Sequence, residues 1–411
     1  MVSIAEETKS IVEVEKGSII SPAGFTAGGV HTKVKRKRND LGAIFCDVPA
    51  SSAAVYTLNP IQAAPLAVTK ESIAAEGKLQ AIVVNSGNAN SCTGEQGLKD
   101  AYEMRKKSSE AFNVPEHYVA VTSTGVIGEM LQMNKILPGV EAIETKGSFK
   151  DADSFNEAIM TTDTMKKHAC YQMNVDGKKV TIGGVAKGSG MIHPNMATML
   201  SFITTDANIE PSYLQQALSE VTNTTFNRIT VDGDTSTNDM VVVMASGKSE
   251  NEPLHPEHPD WSLFVKGLSL TCESLAKKIA RDGEGATKLI EVEVKGAASD
   301  EEAGKVAKQI VGSDLVKTAV YGTDANWGRI IVAIGSTDAK IDPDNIDISI
   351  GSIPTLKNSQ PVWFSEEQAT EYLTNEEVTI HVDLNVGEGT GKAWGCDLTY
   401  DYVRINAGYR T

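Results

Sequence analysis

The segment Lys187-Gly188-Ser189-Gly190-Met191-Ile192-His193-Pro194-Asn195-Met196-Ala197-Thr198-Met199-Leu200 lies near the middle of the 411-residue chain. Two glycines and a proline so close together exclude a helix or strand that runs through the whole segment. From Met196 onward the residues become mostly apolar, which predicts a buried strand. Thr198 therefore stands where a tight loop is expected to enter the core. A threonine is also common inside ordinary strands, so the position of Thr198 alone does not predict a catalytic role.

The composition is that of a globular protein with room for one large core or two ordinary ones. Hydrophobic residues make up 41% of the chain, charged residues 22%, and the formal net charge is −16. An excess of negative charge argues against nucleic acid or an anionic membrane surface as the main partner. The basic run Lys33–Arg38 is followed directly by Asn39-Asp40-Leu41-Gly42, which favours a solvated loop over a nucleic-acid patch.

Cysteine spacing and the N-terminus predict a cytoplasmic protein in a reducing compartment. The five cysteines are dispersed and include no CxxC pair. The first residues are acidic and lack the apolar stretch of a secretory signal, and no apolar run is long enough to span a bilayer. His255 and His258 lie between prolines without further ligand types nearby, so no metal site is expected.

Small polar loops follow several predicted strands. They are Asn85–Ser91 after strand Ala81–Val84, Ser123–Glu129 after strand Tyr118–Thr122, and Gly233–Asp239 after strand Asn227–Asp232. Glycine in such loops allows backbone N–H groups to approach a ligand, although an ordinary turn remains an alternative.

Strands alternate with helices along the chain, which predicts a mixed α/β fold of packed β-sheets flanked by helices. Trp261–Arg281 is the clearest helix, Met240–Ala245 is a buried strand, and Asp176-Gly177 marks a hairpin turn. Pro22–Gly29 is interpreted as a glycine-rich loop. Gly387–Lys392 lacks the spacing of a P-loop and is interpreted as a hairpin loop between strands Val378–Leu384 and Ala393–Leu398.

Four segments carry a resemblance to one known family, in the same order along the chain. The Lys187–Leu200 segment resembles the self-cleavage segment of the ornithine acetyltransferases (glutamate N-acetyltransferases) of arginine biosynthesis. STGVIGE at 123–129, DGEGATK at 282–288 and the C-terminal RINAGYRT at 404–411 also resemble that family. The resemblance implies an N-terminal-nucleophile-like architecture of packed sheets with helices outside.

The resemblance implies cleavage between Ala197 and Thr198. Residues 1–197 would form an alpha fragment and residues 198–411 a beta fragment, intertwined as one unit and commonly assembled as α2β2. Thr198 would become the N-terminal nucleophile, with Thr124 and Gly125 as oxyanion-hole donors. The substrate-binding residues that the resemblance implies are Thr161, Lys187, Thr198, Glu284, Asn406 and Thr411.

The chemistry expected from this set is a two-step acetyl transfer. N2-acetylornithine would acetylate Thr198, ornithine would leave, and glutamate would accept the acetyl group, with acetyl-CoA as a possible second donor and no cofactor. Lys187 is a reasonable partner for the substrate α-carboxylate and Glu284 for the ornithine ammonium. The alternatives are a self-processing amidase or aminopeptidase that transfers its acyl group to water, and a binding protein whose Ala197–Thr198 bond stays intact.

Overall fold

The structure is a computed structural model that describes residues 11–193 and 199–408. Within these ranges fifteen strands form two sheets, and eleven α-helices pack around them. The strands are β1 (Ile11–Glu13), β2 (Phe25–Val30), β3 (Leu41–Tyr56), β4 (Lys78–Asn88), β5 (Val119–Val126), β6 (Lys167–Val175), β7 (Lys178–Lys187), β8 (Leu200–Thr205), β9 (Met240–Ala245), β10 (Leu289–Ala297), β11 (Asp347–Ile350), β12 (Ile353–Lys357), β13 (Gln360–Pro361), β14 (Glu377–Asp383) and β15 (Gly389–Cys396). The helices are α1 (Ala64–Glu76), α2 (Gly94–Phe112), α3 (Met133–Ala142), α4 (Phe149–Ile159), α5 (Pro211–Thr224), α6 (Trp261–Arg281), α7 (Asp300–Gly312), α8 (Asp314–Tyr321), α9 (Trp327–Gly335), α10 (Glu366–Leu373) and α11 (Tyr400–Gly408).

The larger sheet has nine strands in the order β1-β6-β7-β8-β9-β3-β4-β5, with β2 also paired to β3. The long strand β3 belongs to both halves of this sheet: its first part pairs with β2 and β4, and its second part with β9. Its register shifts between Phe45 and Ala50. Side chains from both halves, such as Ile82 of β4 and Val242 of β9, belong to one apolar cluster. Both parts of the sheet therefore contribute side chains to one apolar core.

This arrangement brings several strand ends to one edge. At the end of β7, Lys187 pairs with Leu200, which begins β8, and Leu200 pairs with Met240, which begins β9. The carboxyl end of β5 is tied to the same edge, because the Asn238 side chain donates a 2.8 Å hydrogen bond to the Ser123 carbonyl.

The smaller sheet has six strands in the order β13-β12-β11-β14-β10-β15. It forms its own apolar core with α7, α8, α9 and α10. None of the helices in the two described ranges is long and apolar enough to cross a membrane.

The structure confirms the predicted mixed α/β class, the strand Met240–Ala245 and the helix Trp261–Arg281. The predicted strand Asn227–Asp232 is wrong. Phe226–Arg228 is a short 3-10 helix, and the residues after it bind the chain near Ile192, whose carbonyl accepts a 2.7 Å hydrogen bond from Val231 N.

Two further interpretations are wrong for reasons of packing. The glycine-rich stretch around Pro22–Gly29 contains strand β2, whose Gly28 lies against backbone: a Cβ there would be 2.1 Å from the Glu144 carbonyl oxygen. The strands that flank Gly387–Lys392 do not form a hairpin, since β10 lies between β14 and β15 and pairs with both.

Candidate active site

The structure brings six of the predicted site residues to the wall of one cavity. They are Thr124, Gly125, Thr161, Lys187, Glu284 and Asn406. Ala197, Thr198 and Thr411 lie outside the described residues. The chemical roles of all nine residues stay predictions, but the six that are described reach one place from segments that are far apart in the chain.

Thr124 and Gly125 lie at the carboxyl end of β5. Gly125 has φ +129° and lies against the neighbouring strand, where a Cβ would be 2.4 Å from the carbonyl carbon of Gly87. Both the left-handed conformation and the close approach of β4 require glycine here. The β5 backbone therefore enters the cavity without a side chain in front of it, which suits a site for backbone hydrogen-bond donors.

Lys187 is a buried cation that faces the cavity from the end of β7. Its residue is 8% exposed, and its Nζ lies 3.4 Å from Thr124 Oγ1. Among residues 11–193 and 199–408, no carboxylate oxygen lies within 4.0 Å of Lys187 Nζ. A buried charge without a close counter-ion is costly, so an anionic group bound in the cavity would be stabilised strongly.

A buried ion-pair cluster that sequence reasoning missed holds the backbone at Thr161 and next to Lys187. Lys167 Nζ lies 2.7 Å from Asp163 Oδ1 and 2.5 Å from Asp282 Oδ2. Asp163 also accepts hydrogen bonds from the backbone N–H groups of Thr161, at 2.9 Å, and Gly188, at 2.7 Å. Burial alone would raise the pKa of Asp163, but the positive charges of Lys167 and Lys187 and the hydrogen bonds hold it below its ordinary value.

Glu284 and Asn406 also line the cavity, and they contact each other. Asn406 Nδ2 donates a 2.8 Å hydrogen bond to Glu284 Oε2, and Glu284 is 7% exposed. Gly190 makes room for this carboxylate, since a Cβ on Gly190 would lie 2.4 Å from Glu284 Cδ. Glycine is therefore required at position 190 by packing against Glu284.

The described residues on both sides of 194–198 are held firmly. The Asp232 carboxylate accepts hydrogen bonds from Met191 N, at 2.7 Å, and Ile192 N, at 2.8 Å. Met191 itself has φ +55°, a conformation that non-glycine residues rarely adopt. On the other side, the Met199 carbonyl accepts a 3.1 Å hydrogen bond from Met240 N.

Asp239 is a second cavity residue that the sequence did not single out. It is 4% exposed, and its Oδ2 has no hydrogen-bond partner among the described residues. Burial raises its pKa well above the usual value for an aspartate. The polar loop Gly233–Asp239 was the available signal, but a run of six consecutive polar residues, Asp234–Asp239, does not tell which of them are buried.

The sequence of the chain was compared with those of known proteins and protein families. Residues 26–411 match the ArgJ family. The chain belongs to the ArgJ family. It is 68% identical over 410 residues to the arginine biosynthesis bifunctional protein ArgJ of Halalkalibacterium halodurans, with all of both chains covered.

Two solved structures are also similar to this ArgJ family member. One is the arginine biosynthesis bifunctional protein ArgJ from Bacillus halodurans, which is 73% identical, with a TM-score of 0.51; the match covers 52% of this chain and 100% of the solved chain. The other is ornithine acetyltransferase complexed with ornithine from Mycobacterium tuberculosis, at 35% identity and a TM-score of 0.43, covering 46% of this chain and 100% of that one. The resemblance predicted from the sequence motifs is confirmed by the family match and by the full-length relative. The expectation that this ArgJ family member is an acyltransferase is confirmed with it.

Proposed function

We propose that this ArgJ family member transfers the acetyl group of N2-acetylornithine to glutamate through an acetyl-Thr198 intermediate, with acetyl-CoA as a second acetyl donor. The observation that carries the proposal is that the buried Lys187, which has no carboxylate oxygen within 4.0 Å among the described residues, lines the same cavity as the carboxylate of Glu284. Donor and acceptor share an α-carboxylate, which suits Lys187. The δ-ammonium of ornithine suits Glu284, whose carboxylate is held by Asn406.

Self-cleavage between Ala197 and Thr198 would supply the nucleophile. Attack of Thr198 Oγ on the Ala197 carbonyl gives an ester, and water hydrolyses it to leave a free Thr198 α-amino group. This amine has a reference pKa of about 7.7–8.0, so a useful fraction is unprotonated near neutral pH. It then accepts the proton of its own Oγ, as in other N-terminal threonine nucleophiles.

One observation supports this cleavage, and a second supports a single folded unit after it. The solved Bacillus halodurans chain corresponds to 52% of this chain, and residues 198–411 are 214 of 411 residues, which is the same share. In addition, strands on the two sides of the bond pair within one sheet: β7 with β8, and β3 with β9. The alpha and beta fragments would therefore remain one folded unit after the break, and their assembly as α2β2 is part of the proposal.

The acetyl transfer proceeds in two steps at this site. Thr198 Oγ attacks the acetyl carbonyl of acetylornithine, the oxyanion is stabilised by Thr124 and Gly125, and the amine of ornithine leaves with a proton. The α-amine of glutamate then attacks the acetyl ester and restores Thr198. Each oxyanion donor contributes about 2.7–4 kcal/mol in comparable enzymes.

We place the enzyme in the cytoplasm, where its amino-acid substrates are available.

The first experiment is a denaturing gel with N-terminal sequencing of the purified wild type beside Thr198→Ala. We expect two wild-type fragments, one beginning Thr198-Met199-Leu200, and an unbroken variant without activity. Acetylornithine turnover is then measured with and without glutamate. A wild type that transfers acetyl groups as a single intact chain would refute the mechanism, and turnover that glutamate does not accelerate would favour the amidase alternative.

A further inference from the structure

Asp239 immediately precedes β9, and hydrogen bonds hold its backbone among neighbouring strands. The Asp239 carbonyl accepts a 3.0 Å hydrogen bond from Thr57 N, just after the end of β3. The next residue, Met240, donates from its backbone N–H to the Met199 carbonyl at 3.1 Å. The preceding residue, Asn238, binds the carboxyl end of β5 through its side chain. Its carboxyl group is therefore carried on rigid elements, as the geometry of a reacting group requires.

Asp239 and the predicted nucleophile adjoin the same pair of strands. Thr198 precedes Met199 in the sequence, as Asp239 precedes Met240. Met199 and Met240 are joined by the hydrogen bond described above. Asp239 also lines the same cavity as the two predicted oxyanion-hole residues. Its carboxyl group therefore belongs to the cavity in which acetyl transfer is proposed.

The Asp239 carboxyl group is buried but only partly hydrogen-bonded. Ser236 donates hydrogen bonds to it from its side chain and its backbone. The oxygen Oδ2 has no partner among the described residues, although Asp239 is only 4% exposed. Buried polar atoms with a purely structural role are normally hydrogen-bonded. The unpartnered oxygen is therefore available to a donor group that enters the cavity.

The surroundings of Asp239 favour neither form of its carboxyl group without opposition. Burial raises its pKa well above the usual value, whereas the hydrogen bonds from Ser236 and the positive charge of Lys187 lower it. The other titratable residues on the cavity wall and at the adjoining end of β3 are Asp232, Asp234, Glu284, Tyr402 and Tyr56. Burial stabilises the acid and Lys187 the carboxylate, which suits a group that exchanges a proton during catalysis.

The glutamate half-reaction has one proton more than the proposed Thr198 relay accounts for. Free glutamate enters with an α-ammonium group and leaves with an amide N–H. Two protons therefore leave its nitrogen while the new C–N bond forms and the C–O bond of acetyl-Thr198 breaks. One of them returns to Thr198 Oγ through the α-amino group of Thr198. The other needs a second acceptor.

We propose that Asp239 is a further catalytic residue of the acetyl transfer, and that its carboxylate takes this second proton from the α-ammonium of glutamate. In the preceding half-reaction the Asp239 carboxylic acid gives a proton to the departing α-amine of ornithine. The carboxyl group thus returns to its starting form in every cycle, and no proton is drawn from solvent. This inference rests on the proposed function, because it assigns a proton carrier to that reaction.

The test follows removal of the acetyl group from the enzyme by two different nucleophiles. The wild type and Asp239→Asn are acetylated to completion with excess N2-acetylornithine, and the small molecules are removed by gel filtration. Glutamate or hydroxylamine is then added at pH 7, and loss of the acetyl group from the beta fragment is followed by intact-protein mass. Hydroxylamine is largely uncharged at this pH and loses a single proton on acetylation, so it needs only the Thr198 relay.

Asp100→Asn is the matched control. Asp100 on α2 is also 4% exposed, and its carboxylate accepts a 2.8 Å hydrogen bond from Gln96, but it is not on the cavity wall. The control therefore removes a buried carboxylate of the same type elsewhere in the fold. All proteins are checked for self-cleavage on a denaturing gel and for stability by thermal melts before the rates are measured.

We expect glutamate to remove the acetyl group about 100-fold more slowly from Asp239→Asn than from the wild type, which is the effect typical of a general base. The rate with hydroxylamine should stay within about threefold of the wild type, because no second proton has to be accepted. Asp100→Asn should retain both rates within about twofold.

Two results would overturn the inference and leave the proposed function intact. One is an undiminished rate with glutamate in Asp239→Asn, and the other is an equal loss with glutamate and hydroxylamine, which would indicate a structural role. A wild type that forms no acetyl-enzyme, or whose acetyl-enzyme does not react with glutamate, would instead refute the proposed function.

If Asp239→Asn is not cleaved or not acetylated, the pH dependence of the wild type carries the test. A rate with glutamate that levels off well below the pKa of its own α-ammonium would support a base in the protein. A rate that rises about tenfold per pH unit up to that pKa would show that free amine reacts unaided, and the inference would fall.

Discussion

The side-chain amide of Asn406 donates a 2.8 Å hydrogen bond to the carboxylate of Glu284, although the two residues are 122 positions apart. Asn406 lies on the C-terminal helix α11, and Glu284 lies in the loop after α6. The bond closes one side of the cavity that contains Lys187. Because a side-chain amide N–H binds only an acceptor, Asn406 holds the carboxylate of Glu284 in place without neutralising its charge.

Replacing Glu284 with glutamine should discriminate between the two amino-acid substrates. Gln retains an oxygen for Asn406 but loses the charge proposed to bind the ornithine ammonium, so kcat/KM for acetylornithine should fall about 10–100-fold, and that for glutamate much less. Each half-reaction is measured separately. Asp401→Asn, at an exposed carboxylate on α11 that pairs with Arg404, controls for the loss of one negative charge. Equal losses with both substrates would disprove the pairing.

Thr124→Val should lower kcat by about 10²–10³-fold if the Thr124 hydroxyl helps to stabilise the oxyanion. Thr122→Val is the matched control on the same strand, because the Thr122 hydroxyl is buried and has no hydrogen-bond partner among the described residues. That control should retain activity within about threefold and lose no stability, since no hydrogen bond is removed. Steady-state kinetics and thermal melts check both variants, and similar kinetics for the two would argue against the oxyanion role.

Gly190→Ala should damage the site through overpacking. The new Cβ would lie 2.4 Å from Glu284 Cδ, so the carboxylate has to move, and overpacking of this kind typically costs about 1–3 kcal/mol. Acetylornithine turnover should fall together with the melting temperature. Gly147→Ala is the comparison, because no described atom outside its two chain neighbours lies within 4 Å of the Cβ it would add. Normal turnover in Gly190→Ala would mean that Glu284 is dispensable in its observed position.

Lys167→Met should destabilise the fold by about 3–5 kcal/mol, because it leaves Asp163 and Asp282 buried without their shared cation. Lys166→Met removes a half-exposed partner of Asp153 and should change stability by less than about 1 kcal/mol. Denaturant unfolding at pH 7 measures both changes. A variant of Lys167 as stable as the wild type would show that the two aspartates are protonated or solvated.

The same cluster predicts how stability depends on pH. The pKa of Asp163 in the folded protein lies below its unfolded value of about 3.9. Its stabilising contribution is therefore fully present above that unfolded value and is lost as the pH falls through the folded pKa. Acid unfolding monitored below pH 4 should be steeper for the wild type than for Asp163→Asn.

Extending the chain beyond Thr411 should impair activity. Thr411 is a predicted substrate-binding residue, and Asn406, five residues before it, lines the cavity, so residues added after Thr411 are expected to disturb substrate binding. A C-terminal tag should lower kcat/KM, whereas the same tag at the N-terminus is the control. Full activity with the C-terminal tag would place the chain end away from the substrates.

Sequence motifs identified the family and named residues that the fold gathers in one cavity, because short stretches of glycine, threonine and charged residues carry that information locally. They could not pair Lys167 with Asp282 or show that Asp232 binds the backbone of Met191. Each of these depends on contacts between segments far apart in the chain, which leave no periodic signal.

Local pattern also determined the elements with regular hydrophobic spacing, such as Trp261–Arg281 and Met240–Ala245. Only the tertiary structure decided that residues 229–232 bind the central segment instead of forming a strand, and that β10 separates β14 from β15. The physical reason is that hydrophobic periodicity reports which face of an element is buried. Packing over the whole chain determines which element covers that face. It also determines which charged side chains lie next to it.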